Sequence, residues 1–276
     1  MEPKTIADRQ LWALILGVSS GFGKETALEL AKNGYNIYGV HLDTGENKAK
    51  TEQFRQVLET IGVQAKFFNT NAASDESRKE IINEIKKNQE SDPHHILRVV
   101  LHSLAFGAIG PFFDNEKEKM LNKKQIEMTM DVMANSLIYW VQDLIKEGLL
   151  AENSRIFAMT SIGSIRAMPN YGAISAAKAA LEAYIRQIAV ELAPLKITAN
   201  SIMAGLTDTP AAAKIPGFPN MLKYAREHNP FHRNTVPLDV AKAISLLADE
   251  KFYWITGGTI KVDGGESILN FIETMQ

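Results

Sequence analysis

Apolar positions along the chain follow two rhythms that take turns from one end to the other. LWALILG (11–17) is a short, wholly apolar run ending in glycine, which predicts a buried strand. GKETALELAKNG (23–34) switches to a helical period and stops at glycine. NIYGVHL (36–42) predicts the second strand, 47–61 an amphipathic helix, and QAKFFN (64–69) the third strand. SDESRKEIINEIKK (74–87) predicts a helix capped by Ser74. ILRVVLHS (96–103), SRIFAMTS (154–161), KITANSI (196–202) and GGTIKV (257–262) predict four more strands. Residues 116–149 read as mostly helical, and 170–193 as one long helix. Apolar strands separated by helices imply a parallel sheet covered on both faces. Right-handed crossovers then give an α/β, doubly wound, Rossmann-type sheet of about seven strands. No linker, repeat or low-complexity tract divides the chain, so a single domain is expected over 1–276. The one long irregular stretch, 205–230, follows the sixth strand on the edge where such sheets bind ligands, and predicts a lid.

Composition narrows the chemistry. Of 276 residues, 45% are apolar, enough for a sizeable core. Thirty basic and 32 acidic residues are well mixed, which predicts neither a nucleic-acid footprint nor a polybasic membrane patch. There is no cysteine, so disulfides, thiolate metal sites and cysteine nucleophiles are excluded, and no metal site is expected. The opening MEPKTIADRQ is too polar for a signal peptide, and no apolar run reaches the roughly 18–20 residues that span a bilayer. A soluble, cytoplasmic protein is expected.

GVSSGFG (17–23) links the first strand to the first helix. Gly17 permits a tight turn, Gly21 lets backbone approach a pyrophosphate, and Gly23 lets the helix pack on the strand. The helix N-terminus offers N–H groups and a partial positive charge to phosphates. Ser19, Ser20 and Phe22 complete this predicted dinucleotide cradle.

The spacing G-x-x-x-G-x-G resembles the short-chain dehydrogenase/reductase family, and ITGGTIKVDGG (255–265) resembles its closing signature. The resemblance implies that the end of the second strand, HLDTGENK, selects the nucleotide. His41 stands where NAD-dependent members often carry an acid, and Asp43 near where NADP-dependent relatives place an arginine. A carboxylate there repels a 2′-phosphate, and Ser20 brings no positive charge, so NADH is expected; Lys48 leaves NADPH possible. Asn71 and Ala72 match positions that flank the adenine. AGLTDTPA (204–211) is similar to the family's Pro-Gly-x-Ile-x-Thr turn, which places Gly205, Thr207 and Thr209 on the cofactor.

The commonest members carry a tyrosine four residues before a lysine. Here that position is Ile174, and the tyrosine stands three residues earlier, as Tyr171, seven before Lys178. Three residues of helix are about 4.5 Å of rise, so the phenol lies nearly one turn further along the same face. In ketone reduction the tyrosine protonates the oxygen of the carbon that takes the hydride. In reduction of an α,β-unsaturated thioester the hydride goes to Cβ, and charge develops on a more distant oxygen. The longer spacing suits the second reaction. A free phenol has a pKa of about 10, and a nearby ammonium favours its ionisation.

Tyr-x6-Lys resembles the enoyl-[acyl-carrier-protein] reductase branch. HSLAF (102–106) and RAMPNY (166–171) are similar to that branch too. The glycine turn and TSIGSIR (160–166) keep the ordinary pattern, with Ser161 where ketone reducers have their catalytic serine. The resemblance implies Tyr171, Lys178 and Ser161 as catalytic residues. It places Ser103, Leu104 and Ala105 along the cofactor, and Phe106, Gly107, Tyr171 and Met221 at the substrate. His102 reads as a structural histidine, and Met133 replaces the usual asparagine of the fourth helix. Ile215, Phe218, Met221 and Leu222 on the lid suit an acyl chain; Lys214, Lys223 and Arg226 suit an acidic carrier or merely solvent. The expected activity is nicotinamide-dependent reduction of trans-2-enoyl thioesters, on acyl carrier protein or coenzyme A, in fatty-acid synthesis by a homotetramer. A carbonyl reductase using Ser161 and a non-catalytic nucleotide-binding regulator are the alternatives.

Overall fold

The computed structural model of the protein describes residues 10–269. The N-terminal segment MEPKTIADRQ, on which the signal-peptide expectation rests, lies outside them except for Gln10. The strands are β1 (Gln10–Leu16), β2 (Asn36–His41), β3 (Ala65–Asn69), β4 (His95–His102), β5 (Leu150–Ser161), β6 (Thr198–Ala204) and β7 (Thr259–Val262). They form one parallel sheet in the order β3-β2-β1-β4-β5-β6-β7. The expected doubly wound sheet is therefore present.

Between the strands run α1 (Gly21–Lys32), α2 (Gly45–Thr60), α3 (Asp75–Ser91), α4 (Lys123–Met130), α5 (Ser136–Lys146), α6 (Gly172–Glu191), α7 (Phe218–His228) and α8 (Pro237–Leu247). Successive strand residues point to opposite faces, so β1 feeds two cores. Trp12, Leu14 and Leu16 join Ile81, Leu137, Trp140 and Leu181 of α3, α5 and α6. Ala13 and Ile15 join Leu30, Phe54, Leu58 and Ile244 of α1, α2 and α8. Ser74 does cap α3, accepting a hydrogen bond from Ser77 N.

The helices differ from expectation in three places along the chain. The stretch 116–149 is not one helix: its start is loop and a short 3-10 turn, and α4 and α5 are joined by a π turn at Asp131–Asn135. Thr129 and Ser136 hydroxyls donate to Gln125 O and Val132 O four residues back, a contact that bends helices. Second, α6 starts at Gly172 rather than 170, because Pro169 and the left-handed Asn170 (φ 64°) hold the chain off the helix. Third, α8 was not expected at all, and the predicted lid contains a helix of its own, α7.

Candidate active site

The carboxyl ends of β1, β4, β5 and β6 meet around a cavity of about 840 Å³ at the point where strand order reverses. The glycine turn forms one wall. Gly17 has φ 95°, and a Cβ there would lie 2.6 Å from Ser103 O. A Cβ on Gly23 would lie 2.0 Å from Gly17 O, so α1 sits on the turn only because that side chain is absent. Gly21, at φ 52°, faces Thr209. Ser20 makes no side-chain cap to α1, whose first turn holds no acid, so its N–H groups are open to an anion. These features fit a dinucleotide.

At the end of β2, Asp43 is fixed from three sides. His41 Nδ1 lies 2.8 Å from its Oδ2, Thr51 Oγ1 donates to the same oxygen at 2.9 Å, and Ser19 Oγ donates to Oδ1 at 3.4 Å. Asp43 N also donates to Asn69 Oδ1.

The opposite wall carries the candidate chemistry. Tyr171 is the N-cap residue of α6 (φ −105°, ψ 5°), one residue before the helix proper. Gly163 leaves room for its ring, since a Cβ there would meet it at 2.8 Å. Burial pushes the phenol up, and the Ser161 hydroxyl pulls weakly the other way. The expected pull of Lys178 on the phenol is not seen: burial dominates and raises its pKa, so Tyr171 stays a protonated donor. No well-formed hydrogen bond joins Ser161 to it: Ser161 Oγ is buried with no partner, a hydroxyl left for a ligand. Lys178 is buried, and its Nζ donates to Met159 O at 2.7 Å. Burial lowers it to about 8, opposed by the carboxylate of Glu182. Ile174 lines the cavity where the shorter spacing would put a phenol.

A family model described as "Enoyl-(Acyl carrier protein) reductase" matches residues 17–267. The chain belongs to this branch of the short-chain dehydrogenase/reductase family. Among relatives of this enoyl reductase family, it is 27% identical to 1-cyclohexenylcarbonyl-CoA reductase of Streptomyces collinus, over 95% of this chain and 89% of that one. It is 30% identical to enoyl-[acyl-carrier-protein] reductase [NADH] of Neisseria meningitidis, over 73% of this chain and 74% of that one. An enoyl-[acyl-carrier-protein] reductase (NADH) of Aquifex aeolicus has the same fold, with TM-score 0.82 and 23% identity over 96% of this chain and 99% of that one.

The structure gathers most of the sequence candidates of this family member on the cavity. Phe22, Ser103, Leu104, Ala105, Phe106, Gly107, Ser161, Tyr171, Lys178, Gly205, Thr207, Thr209 and Met221 all line it. Gly17, Ser19, Ser20, Gly21 and Gly23 form the adjoining turn, with His41 and Asp43 beyond it. Asn71 and Ala72 lie after β3, where Asn71 Oδ1 accepts from Ala73 N and Ala72 O accepts from Trp140 Nε1, outside the cavity lining.

The lid needs correcting. Ile215 and Met221 line the cavity, but Phe218 is buried away from it and Leu222 faces a smaller cavity of about 350 Å³ behind α7. Tyr224, Ala225 and His228 present the cavity face of α7 instead. Period alone shows that a helix is two-sided, not which side meets ligand.

His102 is fully buried, with Nε2 2.8 Å from Ser136 Oγ. Burial and Lys178 push it down to about 3, so it is neutral and serves packing. Met133, read in the sequence only as the replacement of an asparagine, reaches the cavity from the π turn, against Gly107. Glu266, just after the closing glycines, accepts the Leu206 N–H with both carboxylate oxygens, and burial raises its pKa. An acid directly after VDGG was the available signal.

Proposed function

We propose that the protein reduces trans-2-enoyl thioesters to the saturated thioester with a nicotinamide cofactor. One observation carries this reading: the partly buried phenol of Tyr171 and the buried ammonium of Lys178 share one cavity, and apolar Ile174 lines the nearer position. When bound, the reduced nicotinamide supplies the hydride that Cβ accepts. Tyr171 donates a hydrogen bond to the thioester oxygen as enolate charge grows there, and one such donor is worth about 10²–10³ in rate. Lys178, anchored on Met159 O, presents its charge to ribose and phenol. Cα takes a proton from solvent.

NADH is the proposed cofactor. The carboxylate of Asp43 is pinned beside the glycine turn and would repel a 2′-phosphate. Ile162, Met168, Ile215 and Met221 give the acyl chain an apolar channel, so substrates on acyl carrier protein or coenzyme A both suit it. A place in fatty-acid synthesis, a cytoplasmic location and a homotetramer built on α4, α5 and α6 complete the proposal. Among the described residues no helix is long and apolar enough to cross a membrane.

The unpartnered hydroxyl of Ser161 favours one second reading, ketone reduction, because a substrate carbonyl could accept from it. Crotonyl- and acetoacetyl-thioesters assayed side by side, each with NADH and NADPH, separate the two. The proposal expects crotonyl turnover with NADH preferred. Turnover of the ketone alone would reject it.

A further inference from the structure

Lys178 is charged, buried and weakly compensated. Of the elements packed around it, β4 brings neutral His102 and β5 brings the hydroxyls of Thr160 and Ser161. Tyr171 at the start of α6 is protonated. Among the described residues, neither β6 nor the π turn puts a charge on it. The counter-charge comes from its own helix, one turn further on: Glu182.

Glu182 is only 8% exposed, an unusual place for a carboxylate. Its Oε1 accepts from Thr160 Oγ1 at 2.6 Å. Thr160 directly follows Met159, whose carbonyl holds the Lys178 ammonium. Two neighbouring residues of β5 thus hold the lysine and the carboxylate that opposes its desolvation.

We propose that Glu182 is a positioning residue of the active site: its buried carboxylate, held by Thr160, keeps Lys178 cationic at working pH. The inference rests on the role given to Lys178 above. A purely structural Glu182 would merely bolt α6 to β5 through the Thr160 hydrogen bond. Glutamine makes that bolt equally well, so Glu182→Gln separates the two roles.

The test is the pH dependence of kcat/KM for a crotonyl thioester and of the NADH dissociation constant, in the parent and in Glu182→Gln. The parent should lose both as pH rises through about 8. Loss of a counter-charge at this range moves a pKa by about one unit, so the variant's alkaline limb should move about one pH unit acidward in both readouts. Below both limbs the variant should stay within about threefold of the parent, since nothing that touches substrate has changed. A limb left in place, or a uniform fall at every pH, overturns the proposal. If the parent saturates no enoyl thioester, the proposed reaction fails, and the NADH titration still reads the limb. Should Glu182→Gln not fold, Glu182→Asp withdraws the charge by one methylene. It should move the limb acidward by about half a unit, and an unmoved limb again overturns the proposal.

Discussion

At the residue scale, the losses of two polar groups should differ in kind. Tyr171→Phe removes a donor used only as charge develops, so kcat for enoyl reduction should fall about 10²–10³-fold while NADH affinity stays nearly unchanged. Lys178→Met should lower both, since the proposed role of Lys178 is toward cofactor and phenol alike. Steady-state kinetics with a fluorescence titration of NADH checks the pair. Lys178 also couples folding to pH. Its folded pKa of about 8 lies below the ordinary lysine value of 10.5. Between those values the unfolded chain binds the extra proton, so this group adds stability as pH rises, while the activity it supports is lost. The urea midpoint of the parent relative to Lys178→Met should therefore rise between pH 8 and 10.5. A flat difference would mean that Lys178 is not desolvated. Tyr171, Lys178 and Ile174 were legible in the sequence because spacing along one helix is local information. Glu182 was not, because it acquires its role from Thr160 on β5, and Glu266, which meets Leu206 after β6, left only its place directly after VDGG.

At the element scale, the glycine turn and the π turn carry the site. A methyl on Gly23 would land on a backbone oxygen, which no rotamer relieves. Gly23→Ala should cost about 1–3 kcal/mol or more by overpacking and weaken NADH binding, measured by urea denaturation and titration. Gly107→Ala is crowded too, because its Cβ would meet Met133 Sδ at 2.7 Å and the stiff, buried Ile174 and Thr129 side chains at 2.9 Å each. It should cost about 1–3 kcal/mol by overpacking and raise KM for long acyl chains by shifting Met133 into the cavity. A KM that is unchanged for every chain length would remove Met133 from the substrate wall. The alternation of strands and helices was plain in the sequence, because buried parallel strands are apolar throughout. The π turn was not, since it depends on two hydroxyls turning back to their own helix. Helix α8 did leave a signal: Pro237 at its first position and Asp239, whose carboxylate accepts from Val236 N.

At the scale of the whole molecule, one sheet edge brings together residues from Gly17 to Glu266. No short segment owns the site, so ligand binding and folding are coupled. NADH at 100 times its dissociation constant should stabilise the chain by about 2.7 kcal/mol, visible as a rise of several degrees in Tm. NADPH at the same concentration should raise it less, because of Asp43. An equal rise would remove Asp43 as the selector. The central claim is that hydride enters a carbon remote from the oxygen Tyr171 serves. Deuterium transfer from nicotinamide-deuterated NADH to a crotonyl thioester, with the product analysed by NMR, tests it most directly. The account predicts one deuterium at Cβ of a butyryl thioester. Label found only at the carbonyl carbon of an acetoacetyl thioester, with crotonyl left unsaturated, would contradict it.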